Sequence, residues 1–170
     1  MKKLLLIFII IFNAIQIFAL GRYESYNFEK ITTDTTWGEI SFWFLETTNK
    51  KNGITINGSP YLLKCFFETR SNRFFTAEIL DIKVLYLDMT EQQIYVNPKP
   101  EYFEKSAGKD VWINSIEIYP FQTRYENQKL RIKFRLTSDT EVIEEETTID
   151  LKLITKKWIG FDFWEKGKEI

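Results

Sequence analysis

The chain has 170 residues, 16% of them aromatic, with only 7 glycines and 4 prolines, a composition typical of a folded β-rich domain. Its formal net charge is −1, from 23 basic and 24 acidic residues without a basic run, which argues against nucleic-acid binding. Histidine is absent, which excludes Ser–His–Asp triads and Cys–His nucleophile pairs and disfavours most zinc and haem sites. We therefore expect no cofactor and no bound metal.

Residues 1–19 predict a signal peptide. Lys2 and Lys3 precede residues 4–12, which are all apolar, and this order is that of a secretory signal. Ala19 is the better of two candidate cleavage points. The alternative is an uncleaved anchor, although the apolar stretch is marginal in length for crossing a bilayer.

Residues 20–170 are predicted to form one domain, which is long enough to bury its own core. The signal indicates an extracytoplasmic location, periplasmic or secreted, with no membrane span after cleavage. Cys65 is the single cysteine, so no intramolecular disulfide can form, and we expect its side chain to be buried. The Lys-, Ile-, Phe- and Asn-rich composition favours a bacterial source.

The domain begins with weakly patterned residues 22–29, which carry three candidates for inward aromatic side chains: Tyr23, Tyr26 and Phe28. Residues 32–36 are polar and predict a loop. Residues 39–46 predict a strand that is covered at least partly on both faces, because apolar side chains occupy both alternating sets.

Asn–Gly pairs at positions 52–53 and 57–58 are the strongest turn signals in the chain, since both residues tolerate the positive φ of a type I′ hairpin turn. Either residues 54–56 form a short strand between two turns, or only one of the turns exists. Residues 61–67 are apolar except for Lys64 and predict a central strand.

Residues 74–87 are longer than an ordinary strand. A bulge, a bend between two sheets, or a helix that starts near Thr76 would each account for this length. The alternation of apolar and polar residues from Leu80 to Tyr86 favours a strand. Residues 93–96 predict a short strand.

Residues 97–110 form the longest stretch without strand character and predict a loop, with one helical turn over 101–105. Loops of this length in compact domains often carry function. Tyr102 and Phe103 lie at its centre and are candidate ligand-binding residues. The alternative is that they cover the end of the core.

Residues 130–136 alternate four apolar with three cationic side chains, the pattern of a half-buried strand. Pairing with the next strand sets four pairs of residues opposite each other: Leu136 with Ile143, Arg135 with Glu144, Lys133 with Glu146, and Leu130 with Ile149. Phe134 then faces Glu145, a poor match, so we expect a bulge within 144–146. A calcium site is the alternative for these acids, but the spacing of a calcium loop is missing.

Residues 157–164 predict the last strand. One of its faces carries Trp158, Asp162 and Trp164, and flat aromatic rings beside a carboxylate are suited to carbohydrate. We therefore name these three residues as candidate ligand-binding residues. The alternative is that both faces of this strand are buried.

About nine or ten strands in one domain predict an all-β antiparallel sandwich, with a small closed β-barrel as the alternative. The predicted function is an exported, non-enzymatic module with a binding or structural role in the bacterial envelope or exterior, where its partner is an envelope protein or a glycan. The second prediction is a binder of carbohydrate or of an apolar ligand. A carboxylate-based hydrolase is the third, and no catalytic residues are assigned.

Overall fold

A computed structural model describes residues 21–159 of the chain, which contain twelve strands and no helix. The strands are β1 (Arg22–Phe28), β2 (Ile31–Asp34), β3 (Glu39–Lys51), β4 (Ile54–Thr69), β5 (Thr76–Leu85), β6 (Glu91–Ile94), β7 (Glu101–Tyr102), β8 (Glu104–Lys105), β9 (Trp112–Phe121), β10 (Gln128–Thr137), β11 (Val142–Leu151) and β12 (Leu153–Ile159). No helix in the described range has the length and hydropathy needed to cross a membrane. The predicted signal peptide lies outside this range.

The strands form two sheets. The seven-stranded sheet has the order β12-β1-β4-β3-β2, and β9 pairs with β4 on the same edge as β1, while β8 pairs with β9. The five-stranded sheet has the order β11-β10-β5-β6, with β7 also paired to β5. All pairs are antiparallel except β1 with β4, and neither sheet closes into a barrel. The predicted β-sandwich is confirmed.

The core lies between the two sheets and is built largely from aromatic rings. Alternate residues of β3, β4 and β10 point inward, and Phe42, Phe67 and Phe134 are at most 1% exposed. Ring centroids of Phe67 and Phe134, which belong to opposite sheets, are 5.2 Å apart. Cys65 is fully buried and unpaired, as predicted, and burial raises the pKa of its thiol.

Only one of the two Asn–Gly pairs makes a turn. Asn52 and Gly53 join β3 to β4 with φ angles of 53° and 74°, the positive values that a tight hairpin requires. The pair at positions 57–58 lies inside β4. A Cβ atom at Gly58 would stand 2.6 Å from the Tyr125 hydroxyl oxygen, so this glycine is needed for the close approach of that ring.

The predicted register of β10 and β11 is confirmed at every partner, including Phe134 opposite Glu145. The expected bulge within 144–146 is wrong, because β11 runs without interruption along β10. Glu145 instead meets a hydrogen-bond donor: Nε1 of Trp37, which is nearly buried, donates to its carboxylate at 3.0 Å. The irregularity falls on the other side of β10, between Lys133 and Phe134 in the pairing with β5.

Other expectations need correction. β7 and β8 lie inside residues 97–110, where one helical turn was expected, and β2 occupies part of the polar stretch 32–36. These short strands raise the number above nine or ten. In contrast, the strand favoured within 74–87 is confirmed: it spans Thr76–Leu85 and carries a bulge. The last strand begins at Leu153, earlier than predicted.

Replacing Trp37 tests the contact that holds Glu145. Trp37→Phe keeps an aromatic ring but leaves the half-buried carboxylate without its donor, so we expect the free energy of unfolding to fall by about 1–3 kcal/mol. Urea unfolding of the two single variants Trp37→Phe and Glu145→Leu and of the double variant gives the coupling energy. Additive losses would show that the hydrogen bond contributes nothing.

Candidate functional site

Of the five sequence-predicted site residues, the structure describes three. Trp158 lies on β12 and is half-buried, whereas Asp162 and Trp164 lie outside the described residues. Tyr102 is 74% exposed on β7, but Phe103 is only 8% exposed and belongs to the core. The burial of Phe103 agrees with the alternative expectation, that this residue covers the end of the core.

Trp158 is positioned by the pairing of β12 with β1. Tyr26 and Phe28 occupy one face of β1, and Phe28 is in the core, so Tyr23 and Ser25 point to the opposite face of the sheet. Tyr23 of β1 lies directly opposite Trp158 of β12 in this pairing. The expectation that Tyr23 points inward is wrong, because residues three apart in a strand face opposite sides.

Tyr23 and Trp158 stack on each other. Their ring centroids are 4.4 Å apart, with an interplanar angle of 27°. Such pairs are worth about 0.5–1.5 kcal/mol beyond the area they bury. Stacking on Tyr23 therefore helps to fix the orientation of Trp158, whose side chain is half-buried.

Glu46 supplies a carboxylate beside this pair. The register of β3 against β4 shifts between Leu45 and Thr47, where Glu46 lies opposite residues 59–61 of β4 and has no cross-strand partner. Such irregularities change the direction of side chains. The buried hydroxyl of Ser25 lies within 2.8 and 3.0 Å of the two carboxylate oxygens, to which it donates. Within residues 21–159, Glu46 forms no ion pair.

The electrostatics of Tyr23 reflect this neighbour. Burial raises the pKa of the Tyr23 phenol, and the negative charge of Glu46 raises it further, while the amide of Asn57 donates a hydrogen bond to the hydroxyl and opposes both. The Oδ1 atom of Asn57 is buried without a hydrogen-bond partner among the described residues. We call the five residues Tyr23, Ser25, Glu46, Asn57 and Trp158 the Tyr23–Trp158 surface.

A second aromatic pair lies on the solvent face of the same sheet, but its surroundings differ. Trp43 is 38% exposed, and its ring centroid is 4.6 Å from that of Phe66. The ammonium of Lys30 lies 4.4 Å from the Trp43 centroid, a cation–π contact. Lys30 therefore already supplies a polar partner to Trp43. At the Tyr23–Trp158 surface, in contrast, the carboxylate of Glu46 can still accept further hydrogen bonds.

Sequence reasoning missed Ser25, Glu46 and Asn57. They converge because β1 runs parallel to the first half of β4, where Ser25 pairs with Asn57, and because the register of β3 against β4 shifts at Glu46, whose carboxylate accepts from Ser25. Nothing in the separate segments indicates that parallel pairing. The face of Tyr23 could have been found from its spacing to Tyr26 and Phe28.

Several acids of the described range are hydrogen-bonded groups at the surface. Four carboxyl groups have shifted pKa values, and each is lowered because a hydrogen-bond donor stabilises the charged form: Glu24 by Tyr26, Asp88 by Thr90, Glu141 by Arg73 and Glu144 by Arg135. A general acid in glycoside hydrolysis needs the opposite shift. In this range no cluster of three acidic or cysteine side chains could hold a metal ion.

The proximity of Glu46 to Tyr23 can be tested by titration. Glu46→Gln removes a negative charge, so we expect the pKa of Tyr23 to fall while burial keeps it above its ordinary value. Carbon-13 tyrosine NMR against pH measures the phenol directly. Glu24→Gln is the matched control, since Glu24 lies on the opposite face of β1 and should lower the pKa of Tyr26 alone. Equal shifts of Tyr23 in both variants would contradict the arrangement.

Comparison of the chain with protein-family models, with curated proteins and with solved structures finds no match in any of the three.

Proposed function

We propose that the protein is an exported, non-enzymatic β-sandwich module that binds carbohydrate at the Tyr23–Trp158 surface. The observation that carries the proposal is the Glu46 carboxylate, which Ser25 holds at 2.8 and 3.0 Å beside the stacked rings of Tyr23 and Trp158. An aromatic face covers the apolar C–H side of a sugar, and a fixed carboxylate accepts its hydroxyl hydrogen bonds.

The polar groups favour a sugar over an apolar ligand. The Glu46 carboxylate can accept further hydrogen bonds, and an apolar ligand would remove water from it without replacing the hydrogen bonds of that water. Sugar hydroxyls supply the donors for such bonds. The space between the sheets is filled by packed rings such as Phe67 and Phe134, which disfavours an apolar ligand carried there.

The export part of the proposal depends on residues 1–19, whose order of two lysines, an apolar run and Ala19 is that of a secretory signal. It places the module in the periplasm or outside the cell, where glycans and envelope proteins are the available partners. A purely structural role in the envelope is the alternative, and it would make the Tyr23–Trp158 surface a contact with protein.

Binding to polysaccharides tests the proposal. Affinity electrophoresis of residues 20–170 in gels with neutral β-glucans, soluble chitin fragments or solubilised peptidoglycan identifies a ligand, and titration calorimetry measures it. Trp158→Ala should weaken binding about tenfold, as expected for loss of roughly 1.4 kcal/mol of stacking. Trp43→Ala is the matched control and should bind as the wild type does, because Trp43 lies outside the surface.

Glu46→Gln separates binding from folding. This variant keeps the size of the side chain and should leave the melting temperature nearly unchanged. Its affinity for the same glycan should be lower than that of the wild type. The carbohydrate proposal is wrong if Trp158→Ala and Trp43→Ala reduce binding equally. It is also wrong if none of the glycans in the gel slows the migration of the wild-type protein.

A further inference from the structure

One edge of the seven-stranded sheet is open along β9. β9 pairs with β4 along one side, but on its other side only Trp112 and Ile113 pair, with β8. The side chain of Asn114 covers the next position, donating to the backbone carbonyl oxygens of Glu101 at 2.7 Å and Tyr102 at 3.0 Å. Along residues 115–119, the described part of the chain places no strand on this side, so alternate backbone N–H and C=O groups lack a sheet partner.

The facing sheet is also unpaired at this side of the sandwich. β5 pairs with β7 at Ala77 and with β6 from Ile82 onward, which leaves residues 78–81 without a neighbour on that edge. Residues 95–100 span the gap between β6 and β7. Pro98 and Pro100 lie in this segment and lack the N–H groups that a strand ladder needs.

A groove lies between these two edges. Its deeper part has a volume of about 200 Å³, and its apolar lining comes from both sheets: Ile79, Val96, Ile116 and Ile118. Tyr95 and Tyr119 stand at its rim and are 86% and 62% exposed. A shallower cleft continues past Ser115, so the groove follows the open part of β9.

The charged groups along the groove are already neutralised. Lys99 lies 3.0 Å from Glu101 on the same side, and Glu117 forms an ion pair with Lys64 of the neighbouring strand. The groove therefore offers no net charge to a ligand, and it complements an uncharged one. A charged ligand would have to displace one partner of these ion pairs. Otherwise its own charge would lose water without gaining an opposite charge.

The edge also lacks the features that usually protect an exposed strand. Such strands carry lysines, inward-pointing charges or prolines that block pairing. Residues 115–119 contain no lysine and no proline, and their single charge, on Glu117, is directed to Lys64. Pro120 limits the open stretch at one end, and Asn114 limits it at the other.

We propose that this groove binds an extended, uncharged peptide segment of a partner protein, which adds to β9 as a further strand. The peptide backbone pairs with residues 115–119, and alternate apolar side chains enter the cleft over Ile79 and Ile116. Strand addition of this kind takes its affinity from main-chain hydrogen bonds and its specificity from pockets for alternate side chains.

The test follows amide hydrogen exchange by NMR in residues 20–170, with the uncharged peptide acetyl-Thr-Val-Thr-Val-Thr-amide as the probe. Alternate amides within 115–119 should exchange at least about tenfold more slowly when the peptide is bound, since they gain hydrogen bonds. A version of the peptide with N-methylated valines, which has the same apolar side chains, should give no protection.

Two variants accompany this measurement. Ser115→Lys, at an exposed position of the edge, should abolish the protection, and Trp158→Ala, on the Tyr23–Trp158 surface, should retain it. Equal binding of the N-methylated peptide would mean that the cleft takes apolar groups without strand addition, and it would overturn the proposal. Protection that grows with protein concentration in the absence of peptide would identify a second copy as the occupant and would also overturn it, as would no protection at all.

Discussion

The structure depends on β4, because one of its two edges pairs with two different strands. β4 has sixteen residues and pairs with β3 along one side, while its other side pairs first with β1 and then with β9. The hydroxyl of Tyr61, which is fully buried, donates to the carbonyl oxygen of Tyr26 at 2.5 Å. Burial raises the pKa of this phenol, which keeps it a donor. The hydrogen bond therefore ties β1 to β4 close to the point where the partner changes.

This change of partner creates both the Tyr23–Trp158 surface and the groove along β9. Where β1 replaces β9, β12 is added beyond it, and Trp158 is brought over Tyr23. Where β9 replaces β1, no further strand of the described chain follows beyond β8, and the edge at residues 115–119 stays open. The proposed glycan would therefore bind beside β1 and the proposed peptide beside β9, and both of these strands pair with β4. The module could hold both at once, because neither surface uses a residue of the other.

The parts of the fold that sequence predicts are those set by local patterns. The register of β10 and β11 follows from alternation and from opposite charges such as Arg135 and Glu144, which contact each other at 2.7 Å. The hairpin at Asn52 follows from the φ angles that its turn requires. The Tyr23–Trp158 surface was only partly predictable, because Trp158 stands out by residue type, whereas Ser25 and Glu46 meet through parallel pairing and a register shift that no single segment encodes.

The pairing of Phe134 with Glu145 shows how a local mismatch can report a distant contact. The sequence alone favours a bulge at this point, because a carboxylate opposite a core ring is costly without a partner. The structure resolves the conflict with Trp37, which is 108 positions away and donates to that carboxylate. β11 is an edge strand of the five-stranded sheet, and an inward-pointing charge on such a strand discourages pairing with another chain. The edge at β9 has no such charge. The contrast between a protected and an unprotected edge in one domain is the physical reason to look for a strand partner at β9 and not at β11.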